Sequence, residues 1–286
     1  MKTLLQQAME KPVTAASKKI DEAFATDGLI EKIQSGYIAN RGPRHQQKKT
    51  FAPSTIAYGH GECARYWYLA FDGGTFEDNA DAFAGANMTN GTKSHERIQQ
   101  AMEDAGILVN SEFKIVNQDP PIFGYGDVIL DWEGEELLGE IKTMMNEGFE
   151  YRKMNRKPKP GHLIQLLIYM KILQKKKAVL IYENKNNHEL LVLPVAMKEI
   201  EIKSVNKALD WMKTVRKAWE KRTLPENVYR SNSKICKNCP LKTMCADAGK
   251  GEVRINRMEP LDENMSMVWC SIPTKGKLPD LLLWGL

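Results

Sequence analysis

The chain has 286 residues, of which 42% are hydrophobic and 27% are charged, so its composition is that of an ordinary globular protein. This excludes a disordered or low-complexity chain, and the length suits one large domain with appendages or two smaller domains. The 41 Lys and Arg against 36 Asp and Glu leave a net charge of +5, which suits a polyanionic partner without establishing one.

No segment contains the roughly 20 apolar residues that a membrane-spanning helix needs. The N-terminal sequence MKTLLQQAMEKPV also lacks the apolar run of a secretory signal. We therefore expect a cytoplasmic protein with no membrane partner. In such a reducing compartment, the five cysteines indicate thiols or metal ligands rather than a disulfide scaffold.

Hydrophobic periodicity and turn residues predict a mixture of helices and strands. Short amphipathic helices and a basic loop are expected before residue 50. The elements predicted after them are a helix over 91–105, strands over 111–118, 126–132 and 136–143, a helix over 161–175, strands over 178–183 and 188–195, and a long helix over 197–222. This alternation predicts an α/β or α+β domain.

The two strands over 126–132 and 136–143 are predicted to form a hairpin that carries chemistry. Because side chains alternate between the faces of a strand, Asp127, Glu140 and Lys142 should share one face. Two neighbouring carboxylates repel each other, and a divalent cation relieves that repulsion. Hard oxygen ligands suit Mg²⁺ or Mn²⁺, and the Ile141 carbonyl can complete the ligand set.

Such an ion would lower the pKa of a bound water and polarise a phosphodiester, while Lys142 orients that water or stabilises developing charge. The alternative is a surface hairpin with solvated charges, because Asp, Glu and Lys are common residues. However, Glu140 and Lys142 interrupt an apolar strand, where a buried charge needs compensation. That context favours the metal site over the solvated face.

The sequence GDVILDW followed by ELLGEIKT resembles the PD-(D/E)XK nuclease superfamily and, within it, the RecB-like branch. His95 lies in a helix ahead of the hairpin, where this branch carries a metal-binding histidine. Gln165 and Tyr169 match the Q-x3-Y helix motif that follows the ExK strand. One departure is Gly126, which stands before Asp127 where proline is common in the family.

The resemblance implies a set of site residues. The implied Mg²⁺ or Mn²⁺ ligands are His95, Asp127, Glu140 and Ile141, and the implied catalytic residues are Asp127, Glu140, Lys142, Gln165 and Tyr169. Without the resemblance, His95 would more often be an ordinary surface or packed histidine. Glu96 is a competing ligand about 100° around the helix. Gln165 and Tyr169 share a helix face and could equally be the polar tip of a core helix.

The cysteines suggest a second metal site. Cys236, Cys239 and Cys245 have the spacing C-x2-C-x5-C, which is typical of metal binding in a reduced protein. They need a fourth ligand, and Cys63 is the natural candidate. Four thiolates hold either Zn²⁺ or an iron–sulfur cluster, and the lack of a second CxxC pair favours iron–sulfur. Uncoordinated structural cysteines are a further alternative, and Cys270 is interpreted as an ordinary packed residue.

One cysteine before the core and three after it also resembles the iron–sulfur members of the RecB-like branch, such as CRISPR-associated adaptation nucleases. That resemblance implies a [4Fe–4S] cluster, with Zn²⁺ as the alternative. A basic run after the ExK strand is a candidate DNA-backbone contact, although charge runs are usually solvated faces. Its residues are Arg152, Lys153, Arg156 and Lys157. The aromatic run after Cys63 is interpreted as packing around the metal rather than as base stacking.

The fold that the resemblance implies is α/β, with a restriction-endonuclease-like core, in which helices flank a mixed central sheet, and an iron–sulfur-stapled helical subdomain. The expected domains are an N-terminal extension over 1–50, a nuclease core over 51–225, a cysteine knuckle over 226–250 and a tail over 251–286. The implied activity is a Mg²⁺- or Mn²⁺-dependent deoxyribonuclease.

Within that activity, we expect an exonuclease that processes DNA ends in recombination, repair or replication, of the kind that phages and bacteria use. Its partners would be duplex ends or single-stranded DNA and a recombination or replication protein, in a bacterial cell or a phage-infected host. The alternative is a non-catalytic DNA-binding protein with a degenerate nuclease fold, whose cluster or zinc is purely structural.

Overall fold

The computed structural model describes residues 28–39, 41–259 and 261. The chain divides into two compact units: one holds the residues up to Arg41 together with Ala80–Met88, and the other holds Gly42–Asn79 together with the residues from Thr89 onward. Predicted features in residues 1–27 and 262–286, Cys270 among them, lie outside the described residues. No helix in the described ranges combines the length and the apolarity that crossing a membrane requires.

The helices have the following bounds. They are α1 (Leu29–Tyr37), α2 (Pro53–Ile56), α3 (Ala64–Phe71), α4 (Ala82–Asp104), α5 (Asn146–Asn155), α6 (Pro160–Ile172), α7 (Glu199–Glu220), α8 (Lys234–Lys237) and α9 (Lys242–Asp247), with a 3₁₀ turn at Gly59–Glu62. The strands are β1 (Arg44–Gln46), β2 (Gly74–Phe76), β3 (Leu108–Asn117), β4 (Ile122–Trp132), β5 (Glu135–Met144), β6 (Lys177–Asn184) and β7 (Leu190–Ala196).

A five-stranded mixed sheet organises the second unit, in the order β3-β4-β5-β6-β7. All neighbouring strands are antiparallel except β5 and β6, which are parallel. Parallel neighbours need a crossover, and α5 and α6 supply it here. The mixed central sheet flanked by helices, which the family resemblance implies, is therefore confirmed. Strands β1 and β2 form a separate antiparallel pair.

Helix α6 fills the core on one face of the sheet. Every residue from Leu163 to Met170 is buried, as its apolar sequence predicts for a helix packed on a sheet. On the opposite face, Ile98 of α4 packs in a smaller cluster with Val128 and Ile141. Because side chains alternate along β4 and β5, the residues directly before and after Val128 and Ile141 in the sequence point to the α6 side.

The hairpin between β4 and β5 has the predicted tight turn. Glu133 and Gly134 both have positive φ, at 56° and 79°. Two successive residues in this conformation match the right-handed twist of the flanking strands, so the turn sets the register of the hairpin. The register runs from Trp132↔Glu135 at the turn to Val128↔Gly139 at the far end.

The start of α4 differs from the prediction. The sequence predicts a helix from residue 91, whereas α4 begins at Ala82. The carboxylate of Asp81 accepts a hydrogen bond from the Ala84 amide at 2.8 Å, which caps the helix a full two turns earlier than expected. Its predicted end is confirmed, because Gly106 follows with φ of 71°.

Gly126 is required by its neighbour across the sheet. It pairs with Phe113 of β3, and a Cβ at Gly126 would lie 2.3 Å from the Phe113 ring. We expect Gly126→Ala to lower the free energy of unfolding by about 1–3 kcal/mol through overpacking, measured by urea denaturation.

Gly91 within α4 is the matched control, because a Cβ there would meet nothing within 4 Å. Gly91→Ala should leave stability unchanged or raise it by about 0.5–1 kcal/mol. Equal stability of Gly126→Ala and the wild type would show that the Phe113 ring does not exclude a Cβ at residue 126.

Candidate active site and cysteine site

The predicted hairpin residues meet where β4 and β5 stop pairing. The last strand pair before the separation is Val128↔Gly139. At the next step, Oδ2 of Asp127 accepts a hydrogen bond from the backbone N–H of Ile141 at 2.7 Å. The Asp127 carboxylate thus replaces a backbone acceptor in the ladder, which fixes its orientation and leaves Oδ1 for other partners.

Glu140 lies beside Asp127 with its side chain buried, and the residue is only 1% exposed. Its Oε1 accepts hydrogen bonds from Lys142 Nζ and, at 2.6 Å, from Gln165 Nε2 of α6. Glu140 Oε2 is also buried, and within the described ranges it has no hydrogen-bond partner, which is also true of Gln165 Oε1. A buried acceptor without a donor is costly, so this oxygen is suited to a cation.

The electrostatics of the three hairpin residues are strongly coupled. Burial raises the pKa of Glu140; the Lys142 ammonium opposes this rise, and the Asp127 carboxylate adds to it. Burial alone would lower the pKa of Lys142, but the carboxylates of Glu140 and Asp127 outweigh it and raise that pKa above its ordinary value. Lys142 is therefore held as an ammonium against a pair of carboxyl groups that repel each other.

His95 is placed beside Asp127, and Glu96 is not. His95 Nδ1 lies 3.7 Å from Asp127 Oδ1, a distance at which an ion can bridge the two. Glu96 instead pairs with Lys93 at 2.7 Å on the exposed side of α4. The alternative ligand considered from the sequence thus points away from the hairpin.

Glu112 on β3 joins this cluster and is the residue that the sequence prediction missed. Ligand atoms of His95, Glu112 and Asp127 all lie within 4.8 Å of one another. The side-chain amide of Gln99 connects them, because it donates to Glu112 Oε1 at 3.0 Å and to the Asp127 carbonyl at 3.1 Å. Like charges on paired strands repel, so a cation between Glu112 and Asp127 would stabilise their arrangement. The only sequence signal for Glu112 is its place in an alternating strand.

Tyr169 lies one helical turn from Gln165, hydrogen-bonds to it and lies close enough to Glu140 and Asp127 to feel their charges. It is buried against Gly124 of β4, where a Cβ would come within 2.6 Å of its hydroxyl oxygen. Burial raises its pKa above the ordinary value, so it remains a neutral phenol. Gln165 contacts Glu140 directly, whereas Tyr169 packs α6 against the strand that carries Asp127.

The oxygen and imidazole donors fit a hard or borderline divalent ion such as Mg²⁺ or Mn²⁺. The unpartnered Glu140 Oε2 is the observation that supports this fit. The residues that would hold the ion are His95, Glu112, Asp127 and Glu140, with the Ile141 carbonyl as the further predicted ligand.

The four cysteines expected to bind a second metal come together around one cavity. Cys63 joins the 3₁₀ turn to α3, while Cys236 and Cys245 lie in α8 and α9. With Cys239 they line a cavity of about 260 Å³, and all four are free thiols. Burial raises the pKa of Cys63 to about 11 and that of Cys239 to about 12, with the other cysteines adding to the rise.

The basic run after β5 is largely engaged with the protein. Lys153 pairs with Glu189 at 2.6 Å, and the Arg152 guanidinium lies 4.8 Å from the centre of the Tyr151 ring. Arg156 donates to a backbone carbonyl of β7 at 3.5 Å. A role in DNA binding for Arg152, Lys153, Arg156 and Lys157 stays a prediction. The aromatic run, by contrast, is entirely buried in α3, which confirms its interpretation as packing.

No protein-family model and no curated protein matches the chain. Among solved structures it is similar to SSO0001, with 14% identity and a TM-score of 0.40 over 78% of this chain and 96% of that one. It is also similar to an alkaline exonuclease, LHK-Exo, from Laribacter hongkongensis, with 14% identity and a TM-score of 0.47 over 66% of this chain and 95% of that one.

LHK-Exo in complex with dAMP gives 13% identity and a TM-score of 0.40 over 60% of this chain and 92% of that one. Because all three TM-scores are below 0.5, these similarities carry no conclusion about the activity of this chain.

We expect Glu112→Gln to weaken Mn²⁺ binding about tenfold or more, because it removes a charged ligand while keeping the side-chain shape. Isothermal titration calorimetry measures the affinity. Glu96→Gln is the matched control, since Glu96 is a carboxylate of the same region that faces away from the site, and it should leave the affinity unchanged. Equal affinities for the two variants would remove Glu112 from the ligand set.

Proposed function

We propose that this protein is a metal-dependent deoxyribonuclease that hydrolyses phosphodiesters. The observation that carries the proposal is the pair of adjacent carboxyl groups, Asp127 and Glu140. The Lys142 ammonium bonds to Glu140, and the other Glu140 oxygen is buried and has no donor among the residues that the structure describes. Buried charges in this arrangement cost stability, and metal-assisted hydrolysis gives them a use. The hairpin motif and its resemblance to the RecB-like branch support DNA as the substrate.

Each residue of the candidate site has a distinct part in this proposal. The Ile141 amide orients Asp127, and Gln165 orients Glu140, so that both carboxylates face the same point. Lys142 remains protonated and can stabilise negative charge that develops on a phosphate oxygen. A bound Mg²⁺ or Mn²⁺ would supply Lewis acidity and a water of lowered pKa. These groups are held by hydrogen bonds from a strand and a helix. Their positions are therefore set by regular secondary structure and not by loops.

We further propose that the enzyme is an exonuclease acting on DNA ends in recombination, repair or replication, with a protein partner from one of these processes. The basic run would hold the backbone of the substrate. Each retained phosphate contact adds about one unit to the slope of log affinity against log salt, so DNA affinity should fall steeply with salt.

The cysteine site is proposed to hold a structural [4Fe–4S] cluster bound by Cys63, Cys236, Cys239 and Cys245. The cavity that all four cysteines line supports this ligand set. The cluster would join the N-terminal end of α3 to α8 and α9, which are distant in sequence. Because binding of the cluster is coupled to folding, its free energy contributes to the stability of the folded chain.

Glu140→Gln is expected to lower the rate of DNA cleavage at least about 10³-fold, because loss of a charged ligand removes several kcal/mol of transition-state stabilisation. The assay uses end-labelled linear duplex and single-stranded DNA with Mg²⁺ or Mn²⁺, and covalently closed circular DNA as a substrate without ends. An exonuclease should degrade the linear molecules and leave the circle intact.

Glu136→Gln provides the control on the same strand, since Glu136 is exposed and pairs with Lys175. It should cleave at the wild-type rate. A Glu140→Gln protein with wild-type activity would contradict the site, and a wild-type protein that binds DNA without cleaving it in either metal would favour the non-catalytic alternative.

Anaerobically purified protein should be brown and carry about four irons per chain, as four thiolates usually hold one such cluster. Cys239→Ser should lower both the iron content and the melting temperature, measured by elemental analysis and by thermal denaturation. Cys270→Ser, outside the proposed ligand set, should change neither. A colourless preparation with one zinc per chain would replace the cluster with a zinc site.

A further inference from the structure

Arg65 is a fully buried arginine with an unusual set of partners. It lies two residues after Cys63 in α3 and is 1% exposed. Its Nε–H donates to Cys245 Sγ at 3.1 Å. The terminal nitrogens donate to the carbonyls of Pro225 at 3.0 Å, Cys245 at 3.0 Å and Gly249 at 2.6 Å. The guanidinium therefore has hydrogen-bond acceptors on every nitrogen.

These acceptors do not neutralise its charge. Among the described residues, no Asp or Glu carboxylate forms an ion pair with Arg65, whereas Arg97 pairs with Glu183 and Arg222 pairs with Asp72. A buried cation without a counter-charge is strongly destabilising, even when its donors are satisfied. Negative charge from a source other than a carboxylate would therefore stabilise this guanidinium.

The cysteine site can provide that charge. Cysteines bind metals as thiolates, and four thiolates around a cluster or ion of charge +2 leave a net charge of about −2. One of the four sulfurs, Cys245 Sγ, is already the acceptor of the Arg65 Nε–H. The bond is directional, so it also sets the side-chain orientation of Cys245.

We infer that Arg65 is the charge-balancing and positioning residue of the cysteine metal centre, which it holds through the N–H···S bond to Cys245. This inference rests on the proposed iron–sulfur cofactor. The competing interpretation is a purely structural brace, in which Arg65 only ties α3 to the carbonyls of residues 225, 245 and 249. The first interpretation requires the positive charge of Arg65, whereas the brace requires only the shape and hydrogen bonds of its side chain.

Two substitutions separate charge from shape. Arg65→Lys keeps the positive charge and loses the planar fork, whereas Arg65→Gln loses both. Iron release from anaerobically purified protein into a ferrous chelator is followed for both variants and the wild type. Charge balancing predicts release about 10–100-fold faster for Arg65→Gln, in the range that outer-sphere partners of metal ligands usually contribute. Arg65→Lys should fall clearly between Arg65→Gln and the wild type.

The control is Arg222→Gln, which removes an arginine that follows α7 and hydrogen-bonds to Asp72 instead of to a cysteine. Its release rate should equal that of the wild type. Equal rates for Arg65→Lys and Arg65→Gln would support the brace and overturn the inference. Wild-type release from both Arg65 variants would overturn it as well.

A measurement on the wild type covers the case in which the variants do not fold. Because the Arg65 backbone amide also hydrogen-bonds to Cys63, protein is labelled with arginine that carries ¹⁵N only in its guanidinium group. It is reduced with dithionite, and electron spin-echo envelope modulation detects nitrogen coupled to the cluster. A ¹⁵N coupling from a guanidinium hydrogen-bonded to a ligand sulfur is expected, and its absence would overturn the inference. Wild-type protein without iron would refute the cofactor and the inference together, whereas an iron-loaded protein that fails these tests refutes the inference alone.

Discussion

The hydrogen bond from the Ile141 amide to the Asp127 carboxylate is the interaction on which the candidate active site depends. It occurs where the ladder between β4 and β5 ends, so a side chain takes the place of a backbone acceptor. That substitution keeps the two strands close enough for Asp127 and Glu140 to lie side by side while opening a gap in the sheet. A carboxylate in this position is buried by the fold itself, and the chemistry follows from the need to compensate it.

The two candidate metal sites carry uncompensated charges of opposite sign. Acidic groups lie close together around Asp127, and a buried Glu140 oxygen there has no donor in the described residues. Around Cys245 it buries a guanidinium that has no carboxylate partner among those residues. A divalent cation would satisfy the first site, and an anionic metal–thiolate centre would satisfy the second. Both sites are thus arranged for a charge that the polypeptide alone does not supply.

Helix α4 shows how tertiary contacts select among sequence alternatives. The sequence makes His95 the expected ligand and Glu96 its competitor, and the packing of Ile98 on the sheet determines which face of the helix is inward. His95 then lies near Asp127, while Glu96 points outward and pairs with Lys93. Gln99, one turn further on, reaches both strands that carry the acidic residues. A single apolar contact therefore orients several polar residues.

The sequence by itself determined the main strands, the β4–β5 hairpin and the shared face of Asp127, Glu140 and Lys142, because alternation along a strand and a tight turn are local properties. It also indicated the grouping of the cysteines through their spacing. The mixed sheet was expected only from the family resemblance.

Only the tertiary structure decided that Glu112 lies opposite Asp127, since the register of β3 against β4 depends on packing and on an irregularity near residue 109. It likewise decided that Arg65, which comes directly before the aromatic run, is buried against Cys245. Register and burial arise from contacts between segments distant in sequence, which a local pattern does not encode.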